Sequence, residues 1–146
     1  MCVHELGEAI RFGMKLPDQL LEIAVLVTAR TWRAEFEGWA HSRLALAAGL
    51  PDVLINAVLD GRRPAFEDDG AVEFLDDPAG SAVVYDAAVE LLETHRWSDA
   101  TYGLVEQAIG EQQLAELTLL LGYYGLISMV LNVFDVVPPS AVFENR

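Results

Sequence analysis

The 146-residue sequence predicts an all-α domain of about six or seven helices. Three observations carry the prediction. Apolar residues recur at three- and four-residue steps, runs of alternating polarity are few, and proline, aspartate and glycine fall where helices start and stop. With 53% hydrophobic and 22% charged residues, the chain has apolar material for one domain, expected to span residues 1–146 around a core at 16–139.

Pro17 suits the first turn of a helix and Asp18 adds favourable charge there, so LPDQLLEIAVLVTAR reads as a helix to about Arg30. A second covers Ala34 to Ala48 and stops at Gly49, a residue suited to a left-handed C-terminal cap. Pro51 opens a short third, PDVLINAVLD, ended by Gly61. Arg62 to Gly70 has the mixed charge and turn composition of an ordered loop. Asp77-Pro78 announces a helix to about His95, Ser98 or Asp99 opens another to Ile109, and Gly110 separates it from a long apolar helix. Asp135 and Pro138-Pro139 close the helical part.

That last helix, Leu117 to Phe134 (LTLLLGYYGLISMVLNVF), contains no charge and reaches the length of a membrane span. Its flanks are Glu116 and Asp135 instead of Lys or Arg, and Thr118, Ser128 and Asn132 interrupt it. It reads better as a fully buried helix, most easily hidden inside a homo-oligomer, where Gly122 and Gly125 let another backbone approach.

Charge excludes several partners. Against 23 acidic residues stand 9 basic ones, giving a formal charge of −14, so a nucleic-acid backbone or an anionic membrane surface would be repelled. Neither is expected as a partner; a small-molecule substrate is. Lys15 is the sole lysine and Cys2 the sole cysteine, which leaves no disulfide framework, CxxC pair or cysteine-built zinc site. MCVHELGEAIRF lacks the basic start and apolar middle of a signal peptide, so a cytoplasmic location is expected. No Gly-rich phosphate loop, GxSxG elbow or HExxH is present.

Glu22 is the most informative residue, because LLEIAVLVTA is apolar on nearly every face and a carboxylate there reaches water only with difficulty. Such a group is either a proton-transfer candidate or a structural acid, paired for instance with Arg30 or Arg33. Glu37 and His41 lie four apart, hence on one helix face, where a carboxylate raises the basicity of the ring; the bland alternative is a solvated surface pair. Glu22, Glu37 and His41 could also be metal ligands, but the di-iron pattern needs Glu-x-x-His and more carboxylates, so no metal is expected. His4 and His95 read as solvated residues near helix ends. Trp32, Phe36 and Trp39 read as core or interface, and Tyr123 or Tyr124 is expected to face a cavity.

The segment LPDQLLEIAVLVTARTWRAEFEGWAHSRLALAAGLPDVLINAVLDG resembles the core of the carboxymuconolactone decarboxylase family, whose superfamily includes the AhpD-type alkylhydroperoxidases. LAELTLLLGYYGLISMVLNVF resembles the C-terminal helix of its longer members, so the likeness runs from about Leu16 to Pro139. The peroxidase branch uses CxxC followed by histidine. Here Glu22 and His41 fall on its relay glutamate and histidine, while Ala34 and Glu37 stand in place of the two cysteines, which excludes thiol peroxidase chemistry. The branch without CxxC has a Glu-x-x-x-His that Glu37 and His41 match.

The resemblance implies an AhpD-like all-α fold assembled as a trimer or hexamer, with the chain beginning inside an N-terminal segment that longer members carry in full. It implies a cofactor-independent lyase that decarboxylates a small carboxylated lactone or related cyclic acid. The implied catalytic set is Glu22, Glu37 and His41, with His41 the proton donor, Glu37 its orienting partner and Glu22 a buried relay member. Arg33, Trp39 and Tyr123 are the substrate-binding candidates, Arg33 for a carboxylate. A proton-transfer isomerase, cyclase or hydratase with the same residues, or a non-enzymatic oligomeric binding protein, are the alternatives.

Overall fold

The helix Asp18–Trp32 is buried from Gln19 through Ala29 without a break, and four of the other helices pack on it. The computed structural model describes residues 3–66 and 73–143, without the side chains of Val3, His4, Arg11 and Phe12. Cys2, the His4 side chain and the 67–70 part of the expected loop lie outside the described residues. Among these, six helices and no strand are present: α1 (Val3–Gly13), α2 (Asp18–Trp32), α3 (Glu35–Ala47), α4 (Asp52–Leu59), α5 (Pro78–Thr94) and α6 (Asp99–Val133). The chain is all-α, as its periodicity indicates.

Central α2 packs on α3, α4, α5 and α6, while α5 also packs on α6 and α1 rests on α6. Leu20, Ile23, Val25 and Leu26 meet Leu54, Val58, Val84, Leu117 and Leu121 in one apolar cluster. Helix ends obey local chemistry. Asp77 accepts a hydrogen bond from the Gly80 amide with Pro78 in the first turn, and Ser98 accepts one from the Thr101 amide. Gly49 and Gly61 take positive φ after α3 and α4. Two polar side chains fasten the start of α2. Glu116 of α6 accepts from the Lys15 and Leu16 amides, and Gln19 bridges the Ala48 and Phe74 carbonyls and the Asp76 amide.

Two expectations change and one holds. α1 is a full helix, marked by Leu6 and Ile10 at a four-residue step in a segment that the sequence offered only for targeting signals. Gly110 does interrupt the helix as expected: its backbone is non-helical (φ 80°, ψ 166°), so α6 is two helical stretches joined across a kink there. The apolar helix, however, is not fully buried within the chain. Leu117, Leu120, Leu121, Tyr124 and Ser128 face the core, whereas Leu119 is 61% exposed, Val133 78% and Phe134 75%, with Leu126, Met129 and Val130 also open to solvent. By length and composition α6 passes as a membrane span, yet one face of it builds the core.

Gly110 occupies a backbone region that essentially only glycine adopts, and nothing lies within 4 Å of a Cβ placed there. Gly110→Ala is therefore expected to destabilise the fold by about 1–3 kcal/mol through backbone strain alone. Gly103→Ala, in open space on the exposed face of the same helix, should instead stabilise by roughly 0.5–1 kcal/mol. Urea unfolding of both variants checks the contrast.

Candidate functional site

The turn between α2 and α3 is two residues long, and this brings Glu22 opposite His41. Arg33 closes α2 in the left-handed conformation (φ 49°, ψ 40°), and Ala34 precedes the first turn of α3. Two side chains far apart in sequence thereby meet: His41 Nδ1 lies 2.7 Å from Glu22 Oε2. From within α3, Glu37 Oε2 approaches the other ring nitrogen, Nε2, at 3.2 Å. His41 is clamped between two carboxylates, and all three residues are buried, at 5% exposure for His41 and 7% for each glutamate.

The two contacts are unequal. The Glu22 contact is a hydrogen bond. The Glu37 contact is an ion pair whose geometry falls short of one, so Glu37 Oε2 is buried with no hydrogen-bond partner. Burial by itself lowers the affinity of the ring for a proton. The Glu22 hydrogen bond and the close negative charge of Glu22 and Glu37 outweigh it, and the His41 pKa rises from 6.5 to about 9. At neutral pH the ring is an imidazolium and both nitrogens carry protons.

Glu37 and His41 form one wall of a cleft of about 360 Å³. Phe36, Ala40 and Leu44 continue that wall along α3, at the spacing of a single helix face. Tyr123, Tyr124 and Ile127 of α6 oppose it, and Gly7 and Glu8 of α1 close one end. Tyr124 stands edge-on to His41 at 4.8 Å between ring centres, and Tyr123 is perpendicular to Tyr124 at 5.3 Å. The Tyr123 hydroxyl points at Gly7, where a Cβ would collide with it. Glu22 sits behind the ring and is not part of the described lining.

The structure thus brings Glu22, Glu37, His41 and Tyr123 together. Arg33 and Trp39 lie elsewhere. Arg33 belongs to the turn outside α3 instead of the helical turn before Glu37, its guanidinium lies over the Phe143 ring at 5.7 Å, and it lines different clefts. Trp39 packs tilted against Phe36, with its ring centre 5.7 Å away, and lies under Arg43 at 5.5 Å. Sequence reasoning gave no site role to Phe36 or Glu8, and expected one of Tyr123 and Tyr124 to face a cavity, where both line it. Phe36 at one residue before Glu37, with Ala40 and Leu44 at four-residue steps from it, is the signal that marks the cleft face. Buried Glu35 is structural: it accepts from the Val142 and Phe143 amides and ties the C-terminal segment over the start of α3.

Among the described residues no three His, Cys, Asp or Glu side chains converge as a metal-binding group. What the arrangement offers is a proton: an imidazolium with one edge fixed by Glu22 and the other beside the Glu37 carboxylate oxygen that lacks a hydrogen bond, at a mainly apolar, aromatic cleft. No protein-family model matches the chain, and no curated protein matches it in sequence.

Because the folded pKa of His41 lies above its free value, the folded state holds the extra proton between 6.5 and about 9. The stabilisation, on the order of 3 kcal/mol, is fully present below 6.5 and is lost as pH rises through 9. Urea unfolding across that window should show stability falling with pH in the parent chain and a flatter profile in His41→Gln.

Proposed function

We propose that the chain is a cofactor-independent acid/base enzyme of the carboxymuconolactone decarboxylase type, acting on a small carboxylated lactone or related cyclic acid. The observation that carries this reading is the protonated His41, clamped by Glu22 and Glu37 at the wall of the 360 Å³ cleft. Breaking the bond between ring carbon and carboxylate releases CO2 and leaves the electron pair in a conjugated enolate. The His41 Nε2–H then delivers its proton to carbon, and the neutral ring regains one from water, so each turnover consumes one solvent proton.

The roles of the two glutamates reflect their positions. Glu22, behind the ring, is the positioning residue that fixes its orientation; Glu37, in the wall, holds the reacting edge and exchanges its loose contact for one with substrate. Tyr123 is the hydroxyl available to orient a ring oxygen. A second reading, a proton-transfer isomerase, cyclase or hydratase using the same residues, is favoured by one observation: Arg33 lies outside the cleft, and the described lining holds no arginine or lysine for a substrate carboxylate. Self-association as a trimer or hexamer belongs to the proposal too. The open apolar face of Leu119, Leu126, Met129, Val130 and Val133 is what a second copy would cover. A cytoplasmic location is part of the same proposal.

The test is CO2 release from freshly generated 4-carboxymuconolactone. His41→Ala and Glu37→Gln should each lower kcat/KM by about 10²–10⁴, and activity of the parent chain should hold through neutral pH and fall above about 9 as the donor loses its proton. Release untouched by both variants refutes the site. No release with this lactone, but pH-dependent turnover of an uncharged lactone or enone, transfers the assignment to the proton-transfer class. A monomer in sedimentation velocity removes the oligomer.

A further inference from the structure

A second cleft, also of about 360 Å³, lies between α2, α4 and α5 and shares no lining residue with the His41 cleft. Its walls are apolar, with Val27, Val58 and Val89, and its polar groups are Arg30, Thr31, Arg33, Tyr85 and Glu93; Arg33 lies over the Phe143 ring. Arg30 is the unusual member. Its Nε is buried and has no hydrogen-bond partner, and no carboxylate among the described residues forms an ion pair with it. A buried donor on a charged group left unsatisfied is costly, so native structures seldom retain one without a use. In a chain of net charge −14, with carboxylates in excess, an arginine that forms no ion pair even with Glu93 of its own cleft is a specific arrangement.

Two neighbours fit that arrangement to a ligand. Gly61 turns at φ +73°, and a Cβ there would sit 3.0 Å from Arg30 Nη2 and 3.1 Å from Nε, so the bare backbone makes room for the guanidinium. Tyr85, 7% exposed, stands near enough to Arg30 to feel its charge. Burial, reinforced by the Asp86 charge, pushes the Tyr85 phenol above its ordinary pKa and keeps it a neutral hydroxyl donor. Thr31, also in the lining, already donates its hydroxyl to the Val27 carbonyl. Two guanidiniums against the one carboxylate of Glu93 leave a single net positive charge, which with the Tyr85 phenol and three valines matches a single carboxylate on an apolar body instead of a dianion.

We infer that this cleft is a binding site for a small apolar monocarboxylate, its carboxylate held by Arg30 and Tyr85 and its body by Val27, Val58 and Val89. The inference stands independently of the acid/base reading of His41.

Benzoate is a suitable probe, with benzamide as its uncharged counterpart and inorganic phosphate as a compact multivalent anion. Titration of the full chain at neutral pH, monitored by calorimetry and by the ¹⁵N–¹H resonance of Arg30 Nε, should show benzoate binding that moves this resonance. Benzamide and phosphate should bind weaker by about tenfold or more, the scale of one charge-assisted hydrogen bond. Arg30→Gln should weaken benzoate by a similar factor, Tyr85→Phe should also weaken it without removing the ring from the core, and His41→Gln should leave it unchanged. The inference is overturned if benzoate leaves the Arg30 signal unmoved, if benzamide or phosphate binds equally, or if binding is lost in His41→Gln and kept in Tyr85→Phe.

Discussion

A carboxylate placed midway along the most enclosed helix of a small fold has to find its compensation inside the protein. Glu22 lies in α2 within an unbroken run of buried residues, so water cannot solvate it, and an unpaired buried carboxylate costs several kcal/mol. The partner is His41 on the adjacent helix. That requirement fixes how α3 lies on α2: the two-residue turn at Arg33 and Ala34 and the packing of the two helices must deliver the imidazole to within hydrogen-bond distance. With Glu37 on its other edge, the ring retains a proton well above neutrality, and the chemistry proposed for the cleft depends on that retained proton.

Much of this is legible in the sequence because the signals are local. Pro17, Pro51, Pro78 and Ser98 mark helix starts, Gly49 and Gly61 mark ends, and a four-residue step puts Glu37 and His41 on one face. A polar residue inside an apolar run singles out Glu22 without any knowledge of its partner. By chemistry alone Glu22 could pair with Arg30 or Arg33; only the geometry of the turn selects His41. Arg33 is misplaced by spacing for the same reason, since extending α3 backwards by one turn puts it beside Glu37, whereas the left-handed cap turns it away.

The remaining differences come from long-range packing. The charge-free stretch of α6 fixes how apolar the helix is, not how many of its faces the chain itself can cover, and here the central position goes to α2. α6 gives one face to the core and leaves another open, the face proposed for self-association. Tyr124 is one of two adjacent tyrosines with equal claims in sequence; contact with His41 depends on the rotation of α6, which one helix pattern does not encode. Arg30 illustrates the same limit, for a basic residue in the last turn of a helix is ordinary in sequence, and only its buried, unsatisfied nitrogen sets it apart.

The protonation state of His41 is the most direct test of the clamp. Ring ¹⁵N shifts of His41, recorded from below pH 6.5 to above 9 in the intact chain, should show both nitrogens protonated through neutrality and a single titration near 9. A ring that is neutral at pH 7, titrating at or below 6.5, would contradict the clamp and with it the proton donor on which the proposed chemistry rests.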